Sequence, residues 1–163
     1  MIVEASQTSD RAAIVYASPH HGNTAKIARA MAEVLNADLF NVDEVQPDTL
    51  DEYKLVGFGS GIYFARHHRS LRKLVDSLTC LPREAFVFST AGLPFFARLY
   101  HSSLRRKLVQ HGCRILGEFT CRGWDTAGPL ILIGGINWFH PNSRDLRRAI
   151  DFAAHLRDER RAA

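Results

Sequence analysis

The sequence predicts a doubly wound α/β sandwich, a five-stranded parallel sheet with helices on both faces. Three observations carry this. Five short runs rich in β-branched, aliphatic and aromatic residues are spaced along the chain, and segments of helical apolar period lie between most of them. Strands joined through such segments run parallel, because a hairpin turn cannot connect them, and right-handed crossovers then place helices on both faces. The chain has 163 residues, 46% hydrophobic and 23% charged, which suits one domain able to bury close to ~70% of its unfolded surface.

The strands and helices follow in order. Residues 1–10 form a tail, 11–158 the domain and 159–163 a second tail. Ala12–Ala17 (AAIVYA) is a strand apolar on both faces, as a central strand should be. Asn23–Leu35 is a helix with Ile27, Met31, Val34 and Leu35 on one side. Asp38–Val42 alternates polar and apolar, as an edge strand does. Asp43–Tyr53 is acidic, contains Pro47 and reads as a loop with a short helix. Leu55–Ser60 (LVGFGS) is the third strand, and Leu71, Leu74, Val75 and Leu78 mark the next helix, which Arg66-His67-His68-Arg69 begins. Ala85–Ser89 (AFVFS) is the fourth strand. A helix from Ala97 to Gln110 ends at Gly112, which supplies a left-handed cap. Arg114–Phe119 is the fifth strand. Thr120–Pro141 fits neither period, although Leu130–Ile133 within it is a short apolar run. The last helix takes Asn142 as N-cap, Asp145 in its first turn, and Leu146, Ala149, Ile150 and Ala153 on its inner face.

Composition removes several classes of function. No apolar stretch reaches the ~18 residues of a membrane span, and the N-terminus lacks a secretory signal. Three cysteines are too few for a disulfide framework, so a reducing cytoplasm is expected, with Cys80, Cys113 and Cys121 as packed thiols. His20-His21 and His67-His68 match no zinc spacing, and no metal is expected.

In an open parallel sheet, ligands bind beyond the carboxyl ends of the strands. The loop after the first strand is Ser18-Pro19-His20-His21-Gly22-Asn23-Thr24. Gly22 permits a tight turn, and Asn23 and Thr24 open a helix whose N-terminal dipole favours an anion. Hydroxyls of Ser18 and Thr24 and imidazoles of His20 and His21 add donors suited to phosphate. The loop contains neither the G-x-x-x-x-G-K-[ST] of nucleotidases nor the G-x-G-x-x-G of dinucleotide sites, and the first strand ends without the carboxylates that would hold Mg²⁺.

Ile14–Ser18 followed by His21-Gly22-Asn23-Thr24 resembles the first strand and phosphate loop of flavodoxins, in the short-chain form that reads HHGNT. Gly57–Tyr63 resembles the family's first flavin-ring loop and Phe88–Gly92 its second. Gly117–Phe119, Cys121–Gly123, Gly134–Asn137 and His140–Asn142 resemble the C-terminal segment of the subgroup. The resemblance covers about Arg11 to Leu156. It implies strand order 2-1-3-4-5 and noncovalently bound FMN, held at its phosphate by residues 18–24. It also implies ring contacts from Ser60, Gly61, Ile62, Tyr63 and Phe64 and from Ser89, Thr90, Ala91, Gly92 and Leu93. Gly61, with Gly59 as competitor, takes the place of the peptide that reorients toward the ring. Tyr63 or Phe64 could stack on one ring face, and Leu93, Phe95 or Phe96 could cover the other. Ser89 and Thr90 donate to the pyrimidine edge.

The implied function is electron transfer between redox partners, for which no catalytic side chain is needed. The alternative is an FMN-dependent oxidoreductase acting on a quinone, a flavin or a protoporphyrinogen. Charge bears on the partner. Residues 1–54 hold four basic and nine acidic groups, and residues 55–163 hold seventeen and eight. Arg66, Arg69, Arg98 and Arg122 would then ring the flavin edge. Such a surface suits an acidic partner, a ferredoxin-like protein or a reductase, or an anionic membrane surface. No nucleic-acid motif accompanies the charge.

Overall fold

The computed structural model describes residues 10–19, 22–80, 82–123, 137 and 139–162. Its strands are β1 (Ala12–Ala17), β2 (Asp38–Asn41), β3 (Leu55–Tyr63), β4 (Arg66–His67), β5 (Glu84–Ala91) and β6 (Arg114–Arg122). Its helices are α1 (Asn23–Leu35), α2 (Arg69–Ser77), α3 (Ala97–Gln110) and α4 (Ser143–Ala162), with 3₁₀ turns at Pro47–Glu52 and Pro94–Phe96. The main sheet runs β2-β1-β3-β5-β6, and every neighbouring pair in it is parallel. This is the expected order once β4, a two-residue addition, is set aside. Leu130–Ile133 lies outside the described residues.

The sheet separates two apolar layers. Alternate residues Ala13, Val15, Val56, Phe58, Ala85 and Val87 pack with Leu71, Leu74 and Val75 of α2 and Leu104 and Leu108 of α3. The other set, with Ile14, Leu55, Phe86, Phe88 and Phe119, meets Ile27 and Met31 of α1 and Ala149, Ala153 and Leu156 of α4. Gly57 and Gly59 sit opposite Phe86 and Phe88 in register. A Cβ at Gly57 would come within 2.2 Å of the Phe86 ring, and one at Gly59 within 2.1 Å of Phe88. These glycines make the groove in which both rings lie, a cross-strand packing device.

The caps form as the sequence expects. Gly112 stands at φ +85°, and Cys113 N–H reaches back to Leu108 O at 3.0 Å, which closes α3. Asn142 Oδ1 accepts from the amides of Arg144 and Asp145. Asp145 Oδ2 accepts from the Asn142 amide at 3.0 Å, a reciprocal capping box.

Three features differ from expectation. β3, β5 and β6 each run further than their apolar runs suggest, because the neighbouring strand ends hydrogen-bond one another, with Gly61 opposite Thr90 and Ala91 opposite Arg122. Arg66-His67-His68-Arg69 does not begin a helix. Residues 66–67 turn back on β3, pairing Tyr63 with Arg66 and Ile62 with His67, and the helix starts only after His68, whose Nδ1 accepts from the Ser70 amide. The connecting Phe64-Ala65 pair has φ of 48° and 61°, the left-handed region that two-residue hairpins require and that Asn-Gly usually fills. Finally, the β5–β6 register shifts between Ala85 and Phe86, so that Ile115 and then Gly117 are paired and Leu116 is extra. This bulge reverses the facing of the rest of β6. It turns Glu118 and Thr120 toward α3, and Phe119 and Cys121 toward α4.

Candidate functional site

Strands β1, β3 and β5 are neighbours, so the segments after Ala17, Ser60 and Ser89 share one end of the sheet. Ser18 Oγ accepts from the Ala25 amide at 3.3 Å, in the first turn of α1. Gly22 is the N-cap, with φ +65° and no side chain of its own to cap the helix. Asn23 and Thr24 are buried, and Thr24 Oγ1 lies 2.9 Å from Thr90 Oγ1, tying the phosphate-type loop to the end of β5. Pro19 is exposed, and His20 and His21 lie outside the described residues. Gly123 closes this region, since its amide donates to Ala91 O and a Cβ there would meet Asn23 and Thr90.

The two ring-loop candidates differ in character. Gly61, Ile62 and Tyr63 are half-buried, and Phe64 projects fully into solvent. Tyr63 packs edge-on against His68 at 5.4 Å. Gly59, paired deep in the sheet beneath Phe88, has no freedom to reorient. At Gly61 a Cβ would meet only the outer atoms of the Tyr63 ring, although Gly61 pairs with Thr90 across the sheet. On the second loop Gly92 O accepts from Asn137 Nδ2 at 2.9 Å and Leu93 O from Tyr100 Oη at 3.1 Å. Leu93, Phe95 and Phe96 are exposed.

Beneath both loops, on the α3 side of the sheet, lies a buried polar layer that sequence reading missed. Ser60 Oγ donates to Gly61 O at 2.8 Å and accepts from the His68 amide at 2.9 Å. Its remaining bond is to His67 Nδ1 at 2.8 Å, so the His67 proton sits on Nδ1. His67 Nε2 is buried without a partner. Burial, with the His101 ring and Arg72 nearby, pushes the His67 pKa down to about 3, which keeps the ring neutral. His101, 5.1 Å from it, is fully buried. Its pKa is lowered by burial, against the pull of Glu118.

His101 Nδ1 bonds Glu118 Oε2 at 3.1 Å, and Arg105 donates to the other carboxylate oxygen at 2.6 Å. His101 Nε2 meets Ser89 Oγ at 2.8 Å, and Ser89 Oγ meets Thr120 Oγ1 at 2.9 Å. The Ser89–His101–Glu118 chain has the connectivity of a nucleophilic triad, but both Ser89 and His101 have zero exposure. No substrate reaches the hydroxyl, and the chain is structural. Ser89 therefore turns its hydroxyl away from the ring-loop face expected of it, while Thr90, one residue on, faces that side. No signal local to residue 89 could show this, since the partners come from α3 and from β6 after its bulge.

A family model described as flavodoxin domain matches residues 13–107, spanning β1, the phosphate-type loop and both ring-loop candidates. The chain belongs to the flavodoxin family. Its chemistry is thus flavin-based electron transfer in the broad sense. This flavodoxin-family chain is 50% identical over 146 residues to an uncharacterized protein of Methanocaldococcus jannaschii, covering 90% of this chain and 97% of that one. Similar folds include a flavodoxin from the domain Archaea, at TM-score 0.65 and 16% identity over 91% of this chain and 97% of that chain. Rubredoxin oxygen:oxidoreductase of Desulfovibrio gigas gives TM-score 0.72 at 14% identity, over 94% of this chain but only 37% of that one.

Other residues of this flavodoxin-family protein take plain roles. Among the described residues no cluster of three His, Cys, Asp or Glu could hold a metal ion, and no helix is long and apolar enough to cross a membrane. Cys113 and Cys121 are buried, as expected of packed thiols, but Cys80 is exposed, because it follows the end of α2 where the chain leaves the core. Trp124 and Trp138 lie outside the described residues.

Proposed function

We propose that the chain is an FMN-binding electron carrier of flavodoxin type, working in the cytoplasm. The observation that supports it most is the meeting of three segments at one end of adjacent strands: a helix N-terminus capped by Gly22 and two segments that emerge from the sheet at 61–64 and 92–93. Residues 18–24 would hold the phosphate, with the helix N-terminus and hydroxyls as donors. Gly61 to Phe64 and the backbone of Ala91 to Leu93 would flank the ring. FMN, when bound, supplies the redox chemistry, and the protein supplies binding and orientation.

Charge placement supports an acidic partner at this end. At the opposite end of the sheet cations are paired, Arg11 with Asp38 and Glu52 and Arg160 with Glu84 and Asp10. Arg66, Arg69, Arg98 and Arg122 are exposed and have no ion pair among the described residues. An acidic redox protein would find unpaired guanidinium groups around an apolar rim that includes Phe64 and Leu93.

Absorbance titration of the purified protein with FMN and with riboflavin tests the reading. Stoichiometric uptake of FMN, much tighter than riboflavin, is expected. Absence of FMN uptake refutes the proposal, and equal affinity for the two refutes the phosphate assignment. Rapid multiple turnover with free NAD(P)H or a porphyrinogen would replace the carrier with an FMN-dependent oxidoreductase.

A further inference from the structure

Beyond the second ring-loop candidate, beside β6, the last strand of the described sheet, lies a cavity of about 480 Å³ between the sheet and the start of α4. Its lining includes Arg122 and Thr120 of β6, Arg144 and Arg148 of the first turns of α4, and Phe95. None of the three arginines has a carboxylate partner among the described residues, although Arg148 lies over the Phe119 ring at 5.7 Å. The one carboxylate of the wall among the described residues, Asp145, is buried. It is occupied by His140 Nδ1 at 2.5 Å and by the Asn142 amide. The first amides of α4 are taken by Asn142 Oδ1, so the positive character of the cavity rests on side chains.

Three guanidinium groups sharing one cavity without a counter-charge repel one another, and all three offer planar donor forks suited to carboxylate or phosphate. Phe95 is 77% exposed and presents an aromatic surface beside them. We infer that this cavity is a binding site for a small polyanion, a molecule with two or more carboxylate or phosphate groups and a flat apolar body that lies against Phe95. The volume is that of an ordinary small-molecule site. The site is separate from the phosphate-type loop: β6 is three strands from β1, roughly 14 Å at ordinary strand spacing. It shares Phe95 and Arg122 with the edge of the proposed flavin site, so its titration is made on protein already saturated with FMN where FMN binds.

The test is calorimetric titration of the purified protein, saturated with FMN if it binds FMN, using inorganic pyrophosphate and benzene-1,3-dicarboxylate as probes. One site is expected, weakening as salt rises. Arg144→Gln and Arg148→Gln should each weaken binding about 5- to 10-fold, on the order expected for loss of one charge-assisted contact. Phe95→Ala should weaken the aromatic probe more than pyrophosphate. Arg106→Gln, on the exposed face of α3, should change nothing. Because the varied arginines are exposed, the variants should melt with the wild type in the absence of probe. No binding of either probe at millimolar concentration overturns the inference, as does equal affinity in the Arg144→Gln/Arg148→Gln double variant. Binding of an acidic protein with neither small probe bound would also overturn it.

Discussion

Gly59→Ala is the substitution for which the structure makes the firmest statement. The new Cβ would stand 2.1–2.3 Å from three atoms of the Phe88 ring, where real contacts are well beyond 3 Å. Phe88 cannot swing away, being fully buried and packed 6.0 Å from Phe86. Overpacking of a tight core costs about 1–3 kcal/mol, and a clash this short against a fixed ring belongs at the upper end, about 3 kcal/mol. The ~0.5–1 kcal/mol that alanine gains over glycine in a strand interior does not offset it. At roughly 2–4 °C per kcal/mol for a chain of this size, Tm should fall by roughly 6–12 °C. Gly61→Ala is the control. Its Cβ would meet only the outer Tyr63 ring atoms at 3.0–3.2 Å, and that half-buried side chain can yield, so Tm should hold within a few degrees. If Gly61 serves the flavin ring as proposed, Gly61→Ala should instead shift the reduction potential of bound FMN. Thermal melts by circular dichroism suffice, together with the Gly59→Ala/Phe88→Ala double variant. Removing the ring removes the clash, so the two losses should fall short of additive by about 1–3 kcal/mol. A Gly59→Ala protein melting with the wild type, or strictly additive losses, would refute the packing role and reopen Gly59 as a flavin-loop residue.

Two further outcomes are expected. The folded pKa of His67 is pushed down to about 3, so below pH ~6.5 the unfolded chain binds the proton that the native state refuses. Stability should therefore fall by up to ~1.4 kcal/mol per pH unit, roughly 2 kcal/mol between pH 6.5 and 5; denaturant melts of His67→Gln should lack that part of the slope, and an unchanged slope would refute the burial argument. Burial raises the thiol of Cys113 to about 11 and that of Cys121 to about 12, whereas Cys80 is exposed. A thiol reagent should thus label one cysteine quickly in the native protein and three after denaturation, and fast labelling of more than one would contradict the packing.

Most of the scaffold was legible because its signals are local. Helical apolar period places α1 to α4, Asn142 and Gly112 cap helices through bonds to residues only a few positions away, and the 18–24 loop states its chemistry in seven consecutive residues. The sites proved less legible where a side chain's role depends on a partner far along the chain. Ser60 reads as a ring contact and Ser89 as a donor to the pyrimidine edge, yet each turns its hydroxyl into the layer beneath the loops. His67-His68 reads as the start of a helix, yet pairing with Ile62 makes a strand of His67 and buries it.

The sequence by itself thus determined the order of elements, their caps and the phosphate-type loop, since a turn, a cap or an amphipathic face is decided by near neighbours. The tertiary structure alone decided that Gly59 is packed beneath Phe88 while a Cβ at Gly61 has room beside Tyr63. It also decided that Glu118 meets His101, and that Arg66, Arg69, Arg98 and Arg122 have no ion pair among the described residues while Arg11 and Arg160 at the far end do. One extra residue at Leu116 reverses the facing of the rest of β6, and the alternation of side chains along a strand carries that shift to every residue beyond it. The +4 net charge is likewise only a sum until folding pairs Arg11 and Arg160 at one end of the sheet and leaves Arg66, Arg69, Arg98 and Arg122 exposed at the other.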